Sequence, residues 1–136
     1  MVPSTLPQME LKPQRFAAVR RVSGVAVPAA FPATKAAVTI PANTHAVMLI
    51  DQSFLTNAYP VLQFSKGNNA SVTIGYAEAL FDSIPESGWG YTKGNRDVIE
   101  NKVFAGRRDS IISNGSDNQV FTTLSYRTFR YVQVSI

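Results

Sequence analysis

The sequence predicts an all-β domain, an antiparallel β-sandwich or barrel, and three observations carry that expectation. Short stretches alternate apolar and polar side chains at period two, as strands with one buried face do. Clusters of Gly, Asn, Asp, Ser and Pro separate these stretches at short intervals. No extended segment follows the 3.6-residue period of an amphipathic helix. About six to eight short strands are expected, the number found in small sandwiches. The 136 residues fit one domain, and a chain of this size buries roughly two-thirds of its unfolded surface.

Taken in order, residues 1–35 are punctuated by Pro3, Pro7, Pro13, Pro28 and Pro32. Proline fixes φ and donates no hydrogen bond, so this segment is expected to pack on the sandwich rather than to run through its centre. Residues 15–25 are the exception and read as one edge strand. Residues 36–136 form the sandwich proper, and the two parts make one domain. Ala36 to Ile40 reads as a short strand ended by Pro41-Ala42-Asn43. Ala46 to Asp51 is a continuous apolar run, the signature of a strand buried on both faces. Val61 to Ser65 follows Pro60 and ends at Lys66-Gly67-Asn68-Asn69. Ser71 to Leu80 has the clearest alternation: Val72, Ile74, Tyr76, Glu78 and Leu80 on one face, Thr73, Gly75, Ala77 and Ala79 on the other. That second face is small enough for another layer to approach closely. Residues 81–99 have no period and read as a long loop containing a helix of at most two turns; long loops in compact domains are usually functional. Residues 113–118 are the strongest turn signal. Val120 to Leu124 and Thr128 to Ile136 close the chain as strands, with Arg130, Val132, Val134 and Ile136 facing one way and Phe129, Tyr131 and Gln133 the other.

Composition narrows the chemistry. Thirteen Lys and Arg against nine Asp and Glu give a net charge of +4, but the positive residues are scattered, and no nucleic-acid partner is expected without a basic stripe. No run of about 18 apolar residues occurs, so no membrane-spanning helix is expected. The absence of cysteine excludes disulfides, thiolate metal sites and a cysteine nucleophile. The single histidine, His45, lies in a turn and reads as solvated. There is no HExxH pattern and no glycine-rich phosphate loop, and no catalytic residue or metal site is assigned. The start of the chain lacks an apolar signal core and reads as a piece cut from a longer precursor, the favoured reading, or as a cytosolic start.

Two constellations stand out. Glu78 sits on the apolar face of its strand, and a buried carboxylate needs a cation and hydrogen bonds. Arg130 occupies an equivalent place on the last strand, so a structural ion pair of Glu78 with Arg130 or Arg127 is expected inside the sandwich. Trp89 and Tyr91, followed by Asn95 and Arg96, place exposed aromatics beside polar side chains. That combination suits a carbohydrate site, and equally an anchor in a protein interface. Asp109, Asn114, Asp117 and Asn118 supply oxygen ligands of the kind calcium takes, without the spacing of an EF-hand loop.

Several strings in order carry a family resemblance: Met48-Leu49-Ile50-Asp51-Gln52, Tyr76-Ala77-Glu78-Ala79-Leu80-Phe81-Asp82, Lys93-Gly94-Asn95-Arg96 and Tyr126-Arg127-Thr128-Phe129-Arg130-Tyr131-Val132, preceded by Leu6-Pro7-Gln8-Met9-Glu10. Together they resemble the non-catalytic β-sandwich region that precedes the catalytic barrel in bacterial α-L-rhamnosidases of glycoside hydrolase family 78. The family usually has a tryptophan pair or aromatic-rich stretch before the final Arg-Thr, where this chain has Leu124-Ser125-Tyr126.

The resemblance implies a jelly-roll sandwich similar to galactose-binding domains. Family members hydrolyse terminal α-L-rhamnose with inversion, using acids on an (α/α)6 barrel that has no counterpart in this chain. The implied role is therefore an accessory domain, inactive alone, whose partner is the catalytic domain of the same polypeptide. A rhamnoside-binding module, with calcium as a possible cofactor, is the alternative, since some β-sandwiches of the family bind rhamnose that way. A periplasmic or secreted setting is expected for the parent enzyme.

Overall fold

The computed structural model describes residues 9–83, 90 and 92–136. Seven strands follow in order: β1 (Ala18–Ser23), β2 (Val47–Ala58), β3 (Val61–Phe64), β4 (Ser71–Ala77), β5 (Arg107–Ile112), β6 (Gln119–Thr122) and β7 (Arg127–Ser135). Five form one antiparallel sheet in the order β1-β2-β7-β4-β5, and β3 pairs with β6 as a separate antiparallel ribbon. The chain is all-β and sandwich-like, and no helix occurs among the described residues.

Both faces of the large sheet are covered, which explains the uninterrupted apolar run in β2. Met48 and Ile50 join Val72, Ile74, Tyr76, Phe129, Val132 and Val134 in one buried cluster. Leu49 joins Ala77, Leu80, Ile99, Phe104 and Tyr131 in another. Neighbouring side chains on a strand point to opposite faces, so the two clusters lie on either side of one sheet. The proline-rich N-terminal segment covers the first through Phe16, Val25, Val27, Phe31 and Val38, with Leu62 and Phe121 of the ribbon beside them. The second is covered from the connection between β4 and β5, through Leu80, Ile99 and Phe104. Gly75 is the point of closest approach there. A Cβ at Gly75 would stand 2.6 Å from Cε1 of Phe104, so the small face expected on β4 is where the second layer presses down.

Several sequence expectations need correction. Residues 36–40 form no strand; Val38 gains its burial by lying on the first cluster, and Pro41 removes the next donor. β5 was not expected at all, because its side chains are mostly exposed and its sequence reads as charged. β4 stops at Ala77, so Leu80 leaves the face of Val72 and Ile74 and joins the opposite cluster. In β7 Phe129 shares a cluster with Val132 and Val134, not with Tyr131. The alternation breaks opposite the place where the β2 register shifts, between Asp51 and Thr56, and Ser53 there has a φ of 73°. The edge position expected for residues 15–25 is filled by β1.

Candidate functional site

A surface groove of about 510 Å³ opens where β4 ends and β5 and β7 begin. Ala77, Glu78 and Phe81 form one wall, Lys93 reaches in from the far side of the connection, and Ala105 to Arg107 lead into β5. Ser125 to Thr128, the entry to β7, complete it. Gly106 makes this corner possible, since a Cβ there would lie 1.9 Å from the carbonyl oxygen of Tyr76. The neck of the connection is closed by backbone bonds between Phe81 and Val103 and from the Asp82 amide to the Thr92 oxygen.

The charges around the groove are largely satisfied internally. Lys93 Nζ lies 3.2 Å from Glu78 Oε2 and 5.8 Å from the centre of the Phe81 ring. Arg127 grips Asp109 with two parallel bonds, Nε to Oδ2 at 3.1 Å and Nη2 to Oδ1 at 2.9 Å, the fork geometry that suits a carboxylate. Those bonds hold the Asp109 carboxyl below the usual carboxylate range. Tyr76 lies under this pair, with the guanidinium carbon 5.7 Å from its ring centre. Its hydroxyl is buried beside Asp109 and makes no well-aligned hydrogen bond among the described residues; burial, and then the Asp109 charge, push its pKa well above the ordinary tyrosine value. Arg107 is exposed and makes no ion pair among the described residues.

A glycosidase needs one carboxyl poised as an acid and a second acting as base or nucleophile. Here Glu78 and Asp109 are each neutralised by their own cation, and no histidine lies in the groove. No group of three or more His, Asp or Glu side chains fit to hold a metal occurs among the described residues. Of the four oxygen ligands considered for calcium, three make contacts within the domain: Asp109 with Arg127, Asp117 with Lys66 at 3.2 Å, and the Asn114 side chain with the Ser116 amide at 2.9 Å.

A second polar cluster lies on the opposite face of the sheet from the N-terminal segment. Asp51 is only 3% exposed and receives Arg130 through Nε at 3.1 Å and Arg20 through Nη1 at 2.8 Å. Arg130 also reaches Asp97, and Arg20 donates to the Asp97 carbonyl. Burial alone would raise the Asp51 carboxyl, but the bonds from Arg130, the Ser53 amide and Arg20 outweigh it and hold the pKa below its usual value. Tyr131, with no exposed surface, donates its hydroxyl to the Arg96 carbonyl at 2.6 Å. The buried Lys102 ammonium donates to the carbonyls of Lys93 and Asn95 and lies 3.6 Å from Asp82. These groups fasten residues 93–97 to the sheet.

The expected ion pair is therefore corrected. Glu78 pairs with Lys93, Arg127 with Asp109, and Arg130 with Asp51 and Asp97. Glu78 escapes burial because β4 ends one residue before it. Of the residues expected to bind sugar, Trp89 and Tyr91 lie outside the described residues. Asn95 and Arg96 are exposed and contribute main-chain carbonyls to the loop anchor, while the Asn95 side chain accepts the Asp97 amide at 2.9 Å. His45 is exposed in its turn. The reading of the sequence missed Asp51, although an acid inside a run buried on both faces is the residue that most needs a cation.

Three of the four strings that carry the family resemblance meet at the groove: Tyr76, Ala77, Glu78 and Phe81 from one, Lys93 from another, Tyr126 to Thr128 from the last. The remaining string brings Asp51 to Arg130. Compared with protein-family models, with curated proteins and with solved structures, the chain matches none.

Proposed function

We propose that this chain is a non-catalytic accessory domain that packs against a neighbouring catalytic domain, and that its parent is an α-L-rhamnosidase. The support for the accessory role is the groove itself: among the described residues, Glu78 on its wall and Asp109 beside it are each held by a cation of the same domain. Exposed apolar side chains close to it, Leu124 and Tyr126, give it the surface a partner covers. The support for the parentage is the resemblance, whose separated strings converge on this groove and on the Asp51 cluster. The jelly-roll, galactose-binding-domain-like topology belongs to the same proposal.

Two measurements test it. The purified chain should show no turnover of an aryl α-L-rhamnoside, and calorimetry with millimolar L-rhamnose, with and without calcium, should show no heat of binding. Saturable heat would instead favour a rhamnoside-binding module. The gene beyond the codon for Ile136 decides the parentage: an open frame leading into a helical barrel supports it, and any other continuation removes it.

A further inference from the structure

We propose that the free edge of β5, with the groove at its head, receives an extended acidic segment of a protein partner as an added strand. β5 is the terminal strand of its sheet and pairs with β4 alone, in unbroken register from Ser71↔Ile112 to Tyr76↔Arg107. Among the described residues no backbone hydrogen bond from outside the β4 ladder reaches it. Natural sheets usually blunt an edge with a proline, a bulge, a covering element or charge. β5 has no proline and no register shift. What it has is Arg107 and Arg108, both exposed and neither in an ion pair among the described residues.

Successive side chains on a strand point to opposite faces, so these two guanidinium groups flank the edge above and below. The acids close by are already engaged, Glu78 with Lys93 and Asp109 with Arg127. Among the described residues the uncompensated charge at this edge is positive, and its complement is a strand with two adjacent carboxylates. Tyr126 and the fully exposed Leu124 continue the surface at the groove's mouth with apolar area. Tyrosine and arginine are the residue types that dominate interface energies. An open groove running into a bare edge suits an extended chain better than the enclosed pocket that buries a small sugar. In strand addition the backbone supplies affinity and the alternating side chains supply selectivity.

This inference extends the docking reading to one edge and one partner chemistry, and its failure leaves that reading to the separate tests above. The probe is the synthetic peptide acetyl-Thr-Val-Thr-Glu-Glu-Thr-Val-Thr-amide, titrated to millimolar concentration into the isotope-labelled chain, with a twin carrying lysine for both glutamates. The expected result is amide-shift changes confined to residues 105–112 and 124–128 for the glutamate peptide and none for its twin. The double variant Arg107→Glu/Arg108→Glu should keep its thermal midpoint and bind about tenfold or more weakly, and added salt should weaken the wild type. Should that variant unfold, Arg107→Gln/Arg108→Gln replaces it with the same expectation. No shift at millimolar peptide, equal response to the lysine twin, or shifts elsewhere on the sheet would each overturn the proposal. So would β5 shifts that track protein concentration without peptide, which would assign the edge to a second copy of the chain.

Discussion

Asp51 and Arg130 stand 79 residues apart in sequence and meet through two hydrogen bonds, Nε to Oδ1 at 3.1 Å and Nη2 to Oδ2 at 3.3 Å. Asp51 is buried, so this pairing is a condition of folding β2 and β7 side by side rather than an ornament of the surface. Removing one partner of a buried pair strands the other charge in a medium that solvates it poorly. Arg130→Leu should therefore lower the unfolding free energy by about 3 kcal/mol, even though Arg20 stays within reach. Urea titration measures it, and a loss comparable to an exposed pair, below about 1 kcal/mol, would contradict the assigned role.

The same carboxylate gives the domain an acid-sensitive element. Its folded pKa is depressed, so the unfolded chain takes up the proton first, near the ordinary aspartate value of about 3.9. The stabilisation is complete above that value and disappears as pH falls through the lower folded pKa. Asp109 adds a change of the same sign. The unfolding midpoint should decline as pH is taken from 5 towards 2, and Asp51→Asn, less stable at neutral pH, should decline less steeply. Parallel curves for the two proteins would count against it.

Glu78→Gln should change stability by less than about 1 kcal/mol, because the Glu78–Lys93 pair is partly solvated and exposed pairs contribute little. A buried pair with an arginine, as the sequence suggested, demands a far larger loss, so one denaturation curve separates the two arrangements.

Gly75→Ala places a methyl group 2.6 Å from Cε1 of Phe104. Overpacking of this kind costs about 1–3 kcal/mol. The companion change Phe104→Leu should restore part of the loss in the double variant, and strictly additive effects would rule out contact as the cause.

Lys102→Met keeps the aliphatic stem and removes the ammonium that binds the carbonyls of Lys93 and Asn95. Two acceptors lose their donor, at a cost of about 1–3 kcal/mol. The change should be felt locally: amide exchange within residues 93–97 should accelerate while β2 and β7 remain protected. Uniform acceleration across the sheet would show that Lys102 supports the whole domain.

Much of this architecture was legible because alternation is a local property. β4, β7 and the doubly buried β2 announce themselves in the order of their side chains, and Gly75 and Ala77 announce a close neighbour. The site was less legible because its chemistry depends on where alternation stops. Glu78 is the first residue past the end of β4, and that single step decides whether the carboxylate is buried or reaches Lys93. β5 hid because an edge strand with both faces partly exposed has no apolar stripe to display. Asp51 was visible as an acid inside an apolar run, but its arginines come from β1 and β7, and only the register between distant strands brings them together.

The position of β7 has a consequence for how the molecule is made. Among the described strands it alone lies between β2 and β4 and is bonded to both, yet it comes last of the seven in chain order. Until residues 127–135 emerge, β1 with β2 and β4 with β5 are separate pairs, each with an unzipped flank and no shared centre. The domain cannot complete itself progressively during translation; its two halves wait for a keystone, and a nascent chain stalled before Arg127 would carry two sticky fragments instead of one fold.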